Sequence, residues 1–397
     1  MNGTHDARTP RQRELVAKSA ELGVAFAARA DRYDREASFP FENFADLRDA
    51  GFLGLCIPER HGGLGADFVT YALVAQELGR HCGSTALTFN MHSATCLLAG
   101  PIADELDLDP ETLAVLDRRR TELFAGIIES GLVHAQPFSE GLSGRATTGI
   151  ATVAERVDGG YLVSGRKIFA SLSEAADIHN IVALVPGDDR VRLLGVPAGS
   201  EGLTIVGDWD PLGMRGTISK TLLFDKVFVP EKNEWLPPGV FDAVAARYPW
   251  FYMTLSFAYL GLMRAVIDFT GSYLRGEIDG TPRGNHPQKQ AAWAEMNLIN
   301  DRAQALTSQV LERVTVDPHH DDVRLAWSAM VTTMEGAPEV ASLAIRACGG
   351  RSLLRPMPLE RFFRDARCGA TMLPWSVEVC LQRLGQYGLV EGDGSFA

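Results

Sequence analysis

The sequence predicts an α+β protein of several domains, with helices in the first and last parts of the chain and a β-domain between them. Apolar residues recur at helical spacing in the first third, and short β-branched segments separated by turns follow. Helical spacing then returns in long runs. At 397 residues the chain is longer than one hydrophobic core usually supports. We therefore expect three domains, at residues 1–126, 127–240 and 241–397.

The N-terminal domain is expected to be helical. Apolar spacing over residues 11–51 is typical of two amphipathic helices, and residues 68–79 present one apolar face. Residues 57–67 are rich in glycine and indicate turns between these helices. Residues 89–98 and 113–124 continue the helical pattern, so we place the end of the domain near position 126.

The central and C-terminal domains differ in their apolar pattern. Residues 153–163 and 181–185 are short, β-branched and interrupted by turns, and residues 222–230 indicate a strand that stops at a proline. After position 241 the period of an amphipathic helix returns. The predicted helices of this C-terminal domain cover residues 255–274, 290–314, 323–348 and 376–387.

The composition excludes several classes of protein. The formal net charge of −12 argues against a nucleic-acid partner and against binding to an anionic membrane. The polar N-terminus does not resemble a secretory signal, and no stretch approaches the ~20 apolar residues of a membrane span. The six cysteines lack the paired spacing of a metal site. We expect a cytoplasmic protein with reduced thiols, without a metal ion.

Several motifs resemble, in order along the chain, those of the acyl-CoA dehydrogenase family. They are the turn Pro58 with Gly62, Gly63 and Gly65, the pair Ser139-Glu140 followed by Lys167, the turn at residues 212–217, the strand at 224–230, the pair Gly349-Gly350, and the signature at 361–367. The resemblance covers nearly the whole chain. It implies an N-terminal helical domain, a central β-domain and a C-terminal four-helix bundle. It also implies FAD between the β-domain and the bundle, and assembly as a homodimer or homotetramer.

The resemblance assigns flavin contacts to two segments of the β-domain. Ser139, preceded by Phe138, occupies the place of a family segment that touches the flavin ring. Phe169 and Ser171 fit an aromatic-x-Thr segment, and a hydroxyl at Ser171 could donate to the ring edge and stabilise the reduced form. Arg145 replaces a hydroxyl that meets the pyrophosphate. Its guanidinium could bind that group or lie exposed at the surface.

At the adenine end of the cofactor the sequence departs further from the family pattern. An expected Arg-x-x-Phe-Gly segment is replaced around residues 277–280, and an expected Phe-Gln becomes His286-Pro287. Gly349 and Gly350 keep the paired glycines, and Ser376 matches the Thr of a Thr-x-Glu segment. FAD is the expected cofactor, with an altered adenine site.

The position of the catalytic base holds no carboxylate. The resemblance implies that ordinary members remove the proton next to a thioester with a glutamate. Alignment places Leu373 at that position, or Pro374 if the segment is longer, and the position used by a minority of members falls at Phe251. Neither of these family positions can supply a base.

A segment of the N-terminal domain resembles the wall of a substrate pocket. It contains Met91, His92 and Ser93, and we expect Phe251 and Leu373 to line the same pocket. His92 is a candidate base because an ordinary histidine titrates near pH 6.5. The alternative, which we favour, is a histidine that serves packing only.

Three functions remain open. The leading hypothesis is an FAD-dependent oxidoreductase that acts on an acyl thioester, carried by CoA or a carrier protein, with an atypical base or outcome. A flavin monooxygenase of the same fold is the second, because oxygen then meets reduced flavin and no α-proton base is needed. The third is a catalytically silent subunit that partners an active homologue, which the altered adenine contacts favour.

Overall fold

A computed structural model describes residues 8–141 and 149–391, and in these ranges the predicted order of helical, β and helical regions is confirmed. The helices of the described ranges are α1 Pro10–Glu36, α2 Phe41–Asp49, α3 Phe68–His81, α4 Gly83–Leu97, α5 Ala103–Glu105, α6 Pro110–Ser130, α7 Val240–Arg247, α8 Ser256–Arg275, α9 Pro287–Leu311, α10 His320–Cys348, α11 Pro358–Cys368 and α12 Val377–Gln386. The strands are β1 His134–Ala135, β2 Val153–Val157, β3 Gly160–Ala170, β4 Ile178–Val185, β5 Asp188–Pro197, β6 Leu203–Val206 and β7 Lys220–Pro230.

Local signals explain where the N-terminal helices begin and end. The Thr9 side chain accepts from the backbone N–H of Gln12 at the start of α1, and the Gln12 side chain accepts from the backbone N–H of Thr9. Asp109 caps α6 in a similar way, and this helix ends at Gly131, whose left-handed backbone favours glycine. The predicted boundary at residue 126 therefore lies inside α6, and the helix continues to Ser130.

The seven strands form one sheet in the order β1-β4-β2-β3-β7-β6, with β5 beside β4. Its main ladders are antiparallel, whereas β1 and β2 run parallel to β4. A small core fills the domain and is made by one face of its strands, including Tyr161, Ile181 and Phe224. This core is separate from the large core that the two helical regions share, which also includes Val182 and Leu193 of the sheet.

The C-terminal region consists mainly of the long helices α8, α9 and α10, with α11 and α12 packed on α10. The segment Pro249–Arg275, which contains α8, is long and apolar enough to cross a membrane by length and composition. The sequence predicts a helix at residues 255–274, inside this segment. Of its most apolar window, 83% is buried inside the protein, as expected for a core helix.

Helix α11 connects all three regions. Arg364 on α11 donates to both carboxylate oxygens of Asp34 on α1, at 2.9 and 2.6 Å. It also donates to the carbonyl of Leu212 in the β-domain at 3.1 Å. Its neighbour Asp365 accepts from the backbone N–H of Met214 at 2.5 Å. These bonds hold the 212–217 turn against the helical regions.

Candidate functional site

A buried ion pair fixes the first of the two predicted flavin segments. The Lys167 ammonium pairs with the Glu140 carboxylate, and neither side chain is exposed. Glu140 also accepts from the Ala151 N–H at 2.6 Å and from the Thr152 hydroxyl at 2.7 Å. Burial lowers the pKa of Lys167 to about 8, although Glu140 opposes that shift. The pair therefore anchors the loop that carries Phe138 from inside the β-domain.

The two predicted flavin segments lie side by side. The backbone N–H of Ile168, next to Phe169, donates to the Ser139 carbonyl at 2.8 Å. Phe138 and Ser139 are half-buried, and the Phe138 ring packs edge-on against Phe241 of α7 at 5.6 Å. The structure thus places Phe138 and Ser139 beside the segment of Phe169, and we call these residues the Phe169 patch; their contact with a flavin stays a prediction.

Phe169 presents an aromatic ring to the outside at the end of β3. Its side chain is 71% exposed, which is unusual for a large apolar residue, and its backbone is left-handed with φ of 49°. Its neighbours in β3 are more protected, since Ile168 is half-buried and Ala170 is buried. The exposed ring is therefore available to a planar partner.

Ser171 follows Phe169 and belongs to a chain of three hydroxyls. Its Oγ lies 2.8 Å from the Oγ of Ser219, and this atom lies 2.7 Å from the Oγ1 of Thr217. All three residues are buried, and Ser171 is the most exposed at 8%. Ser171 is among the predicted flavin contacts, whereas Ser219 is not. Its contact with Ser171 spans 48 positions, and no periodic pattern in the sequence marks it.

The structure joins the segments that carry Phe251 and Leu373, the residues predicted to stand at the two family base positions, through an aromatic cluster. The Tyr252 ring lies 6.0 Å from that of Phe251 and 5.7 Å from that of Trp375, two residues after Leu373. Trp327 of α10 packs on Trp375 at 6.1 Å. Leu373 is 55% exposed, whereas Phe251 is buried. Apolar and aromatic side chains therefore occupy both positions and the space between them.

Tyr252 is the ionisable residue that sequence reasoning missed in this cluster. Burial raises the pKa of its phenol, and the nearby charge of Asp242 raises it further. Asp242 itself has a pKa raised by burial, and its carboxylate accepts from the Val191 N–H at 3.0 Å. Tyr252 thus stays protonated at neutral pH and can donate a hydrogen bond. It is not suited to act as a base.

His92 is placed as a packing residue, which argues against the candidate base. Its Nε2 lies 2.8 Å from the Leu53 carbonyl, and its Nδ1 accepts from the His134 N–H at 3.0 Å. The side chain is fully buried, and burial lowers its pKa to about 4. Since the backbone engages both ring nitrogens, His92 has no free nitrogen with which to accept a substrate proton.

Ser93 and Met91, the neighbours of His92 on α4, differ in burial. Ser93 is buried, and its hydroxyl has no hydrogen-bond partner among the described residues. The side-chain amide nitrogen of Gln136, three residues before Ser139, is likewise buried and unpaired within the described ranges. Met91 is half-buried against the helical core. Unpaired polar atoms are therefore present on α4 and next to the Phe138 loop.

The remaining predicted flavin contacts lie elsewhere. Gly349 and Gly350 follow α10 and are exposed, and no hydrogen bond or ring contact joins them to the Phe169 patch within the described part of one chain. The Ser376 hydroxyl caps α12 by accepting from the Val379 N–H at 3.3 Å. Arg145 lies outside the described residues. These four positions stay predictions.

Comparison with known proteins identifies the family. Models of the N-terminal, middle and C-terminal domains of acyl-CoA dehydrogenase match residues 9–104, 135–227 and 250–373. The chain belongs to the acyl-CoA dehydrogenase family. Isovaleryl-CoA dehydrogenase of Arabidopsis thaliana is 28% identical over 365 residues, which cover 89% of this chain and 85% of that protein. The family prediction is confirmed.

Solved structures with the acyl-CoA dehydrogenase fold superpose closely on this chain. The FMN-bound TdsC of Paenibacillus sp. A11-2 has a TM-score of 0.82 at 22% identity, and 96% of this chain and 98% of that chain are covered. A nitrososynthase of Micromonospora carbonacea var. africana has a TM-score of 0.81 at 24% identity over 96% and 98% of the chains. Butyryl-CoA dehydrogenase of Megasphaera elsdenii has a TM-score of 0.81 at 21% identity over 98% and 100%. These similarities confirm the fold class.

The described residues fit the flavin of an acyl-CoA dehydrogenase-fold protein. The ring of a flavin is planar and apolar on its faces and polar at its edges. Phe169 offers an exposed aromatic side chain, and Ser171 offers a hydroxyl two residues later, at the end of a buried chain of hydroxyls. Both groups stand on backbone held by the β-domain. The chain is therefore a flavoprotein oxidoreductase of this fold.

Proposed function

We propose that this protein is a flavin-dependent monooxygenase with the acyl-CoA dehydrogenase fold. One observation carries the proposal, namely that Leu373 and Phe251 occupy both family base positions and that aromatic side chains join them. Removing the proton next to a thioester requires a positioned base. Insertion of an oxygen atom does not require one at these positions. We therefore propose oxygen insertion in place of the thioester oxidation that the sequence favoured.

The flavin site consists of residues with separate roles in this proposal. Phe169 and Phe138 would pack on the ring, while Ser139 and Ser171 would bond to its edges. Bound flavin would supply the two-electron chemistry and the reaction with oxygen. FAD is the cofactor that the family resemblance implies, and FMN is the alternative because TdsC binds FMN and the adenine-end motifs are altered here. Identification of the flavin released from purified protein distinguishes the two.

The substrate side of the site is aromatic in this proposal. Phe251, Tyr252 and Trp375 would surround the substrate with rings, which suits a planar apolar molecule. Tyr252 would donate a hydrogen bond to a polar atom of that molecule, since its raised pKa keeps the phenol protonated. The half-buried Phe138 contacts Phe241 and extends this surface toward the flavin segment.

Thioester dehydrogenation is the second candidate, favoured by a different observation. The relatives in sequence include isovaleryl-CoA dehydrogenase and short-chain specific acyl-CoA dehydrogenase. A base would then have to come from a residue outside the two family positions. Substrates would be acyl thioesters on CoA or a carrier protein, with a separate electron acceptor.

Two reactions, one without oxygen and one with it, distinguish the two candidate functions. The flavin-loaded protein is mixed without oxygen with butyryl-CoA and isovaleryl-CoA, and the flavin absorbance is followed. It is then reduced by NADH and a flavin reductase and exposed to isotopically labelled oxygen together with indole, a ligand of TdsC. We expect no bleaching by either thioester and labelled oxygen in an indole product.

The other possible results support the other two functions. Anaerobic bleaching by a thioester would establish the dehydrogenase instead. Bound flavin without either reaction would favour the silent subunit that partners an active homologue. Tyr252→Phe tests the substrate side, with Tyr248→Phe as its control. The Tyr248 hydroxyl is buried against a different part of the core, where its ring contacts Phe68.

A further inference from the structure

The chain of hydroxyls behind Ser171 is built from two segments that are far apart in the sequence. Ser171 follows β3, whereas Thr217 and Ser219 precede β7. Their oxygen atoms form two consecutive contacts of 2.8 and 2.7 Å, within hydrogen-bond distance for hydroxyl groups. All three side chains are more than nine-tenths buried. Solvent therefore does not compete freely for these hydroxyls.

Backbone hydrogen bonds hold the two segments in register. The Leu172 N–H donates to the Thr217 carbonyl at 3.0 Å, and the Ser173 N–H donates to the Ile218 carbonyl at 3.1 Å. The Ser173 hydroxyl adds a second bond to the Ile218 carbonyl at 2.8 Å. The three hydroxyls of the chain thus meet because their backbones are fixed, and their positions do not depend on the side-chain bonds alone.

Strained backbone marks the same two segments. Phe169, Leu172, Met214 and Ile218 all have left-handed φ angles, between 42° and 62°. Such a conformation is unfavourable at a residue with a side chain, and Ile218 is β-branched, for which it is most unusual. Strain of this kind persists where the surrounding structure requires it, and it clusters at functional sites.

A chain of three hydroxyls has two directions. If Thr217 donates to Ser219 and Ser219 donates to Ser171, the proton of Ser171 is left to point out of the chain. In the reverse direction Ser171 donates inward, and the Thr217 proton needs another acceptor. Among the described residues, the hydroxyl of Thr217 has one hydrogen-bond partner, which is Ser219. Either direction leaves one donor unpaired among the described residues, and the outward direction places that donor on Ser171, the most exposed of the three, where a bound group can accept it.

We propose that Ser219 and Thr217 are positioning residues that direct the proton of Ser171 toward the flavin ring and thereby raise the reduction potential of bound flavin. This inference rests on the proposed flavin contact of Ser171. A donor aimed at the ring edge stabilises the electron density that reduction adds there. Successive hydroxyls polarise one another, so each one behind Ser171 strengthens it as a donor.

The reduction potential of the bound flavin tests the proposal without a known substrate. The full chain is loaded with FAD or FMN and titrated spectroelectrochemically, beside the variants Ser219→Ala and Thr217→Val. We expect Ser219→Ala to lower the equilibrium constant for reduction about tenfold, which is about 30 mV for a two-electron couple. Thr217→Val should lower it less, because Thr217 lies one hydroxyl farther from Ser171.

Matched variants separate the hydroxyl effect from a change in packing. Thr217→Ser keeps the hydroxyl, so its potential should equal that of the parent, whereas Thr217→Val keeps the shape and loses the hydroxyl. If Ser219→Ala fails to fold, the Thr217 pair still decides.

The outcomes distinguish this inference from the proposed function. If flavin binds and the Ser219→Ala and Thr217→Val potentials equal or exceed that of the parent, the positioning role is wrong while the flavin site stands. If the parent chain binds neither FAD nor FMN, measured by flavin fluorescence, both proposals fall. Lowered potentials in both variants, with Thr217→Ser unchanged, support the positioning role.

Discussion

Glu140 and Lys167 form an ion pair inside the β-domain in which each charge depends on the other. Their side chains are buried, and burial alone already lowers the pKa of Lys167. Glu140 is held in its charged form by Lys167 and by the Thr152 hydroxyl, which outweigh the effect of burial. Such a pair stabilises little as a whole, but one member without the other is costly.

The variant Glu140→Gln should therefore destabilise the protein strongly. We expect a loss of about 3 kcal/mol in the free energy of unfolding, because the Lys167 ammonium is left buried without a counter-charge. Urea denaturation followed by circular dichroism measures it. The double variant Glu140→Gln with Lys167→Met should recover most of the loss. A single variant within about 1 kcal/mol of the parent would contradict the argument.

A sequence motif identified some residues of the candidate site and missed others. The pair Ser139-Glu140 and the distant Lys167 were recognised together by their spacing, and the structure joins Glu140 to Lys167. Ser219 and Tyr252 were missed. Ser219 meets Ser171 only through the fold, and Tyr252 is one aromatic residue in an apolar run. The assignment of the candidate flavin residues remains a prediction.

Helices α3 and α8 approach each other closely at two glycines. A Cβ atom on Gly261 of α8 would lie 2.0 Å from the carbonyl oxygen of Gln76. A Cβ atom on Gly79 of α3 would lie 2.3 Å from the carbonyl oxygen of Ala258. Both contacts are with backbone, which cannot move aside as a flexible side chain can. The absence of side chains at these two positions permits the contact between the N-terminal and C-terminal helices.

Gly261→Ala should separate this helix pair and destabilise the protein. We expect a loss of about 1–3 kcal/mol, since an inserted methyl group in a packed core forces backbone shifts. Thermal unfolding and denaturant titration measure it. Gly385→Ala in α12 is the control, because no atom lies within 4 Å of its added Cβ and alanine favours a helix by up to about 1 kcal/mol. Equal stability of the two variants would refute the close contact.

The long elements were predictable and the short ones were not. Helical periodicity anticipated α8, α9 and α10 to within a few residues, because each of these helices keeps an apolar face over many turns. β5 and β6 were not predicted as separate strands, and neither was α7. α7 has only eight residues, too few for a clear period, and the four residues of β6 include no fully buried position.

Three histidines are buried where α4 meets the sheet. Burial lowers the pKa of His92 to about 4, of His134 to about 3 and of His179 to about 4. Both ring nitrogens of His179 lack a hydrogen-bond partner among the described residues. In the unfolded chain each would titrate near 6.5. Protons are therefore taken up on unfolding below that pH, and the whole molecule loses stability in acid.

The contribution of these three histidines to stability should be complete above pH 7 and fall as the pH decreases from about 6.5 toward 4. Each histidine lowers the free energy of unfolding by about 2 kcal/mol between pH 7 and pH 5. Asp365, whose pKa burial raises to about 6, becomes more favourable in the same range and offsets about one histidine. Guanidinium titrations at pH 7.5, 6 and 5 measure the slope. His179→Leu should reduce it by about one proton, and an unchanged slope would show that His179 is not neutral in the folded state.

The bonds of α11 have a consequence for how the molecule unfolds. Arg364 binds Asp34 of the first region and the Leu212 carbonyl of the second, while Asp365 binds the Met214 N–H. A region that unfolded alone would leave buried charged partners of the other two without hydrogen bonds. The bonds of this short helix therefore make the unfolding of the three regions more cooperative. Heating should produce a single transition, and Arg364→Met should split it into two.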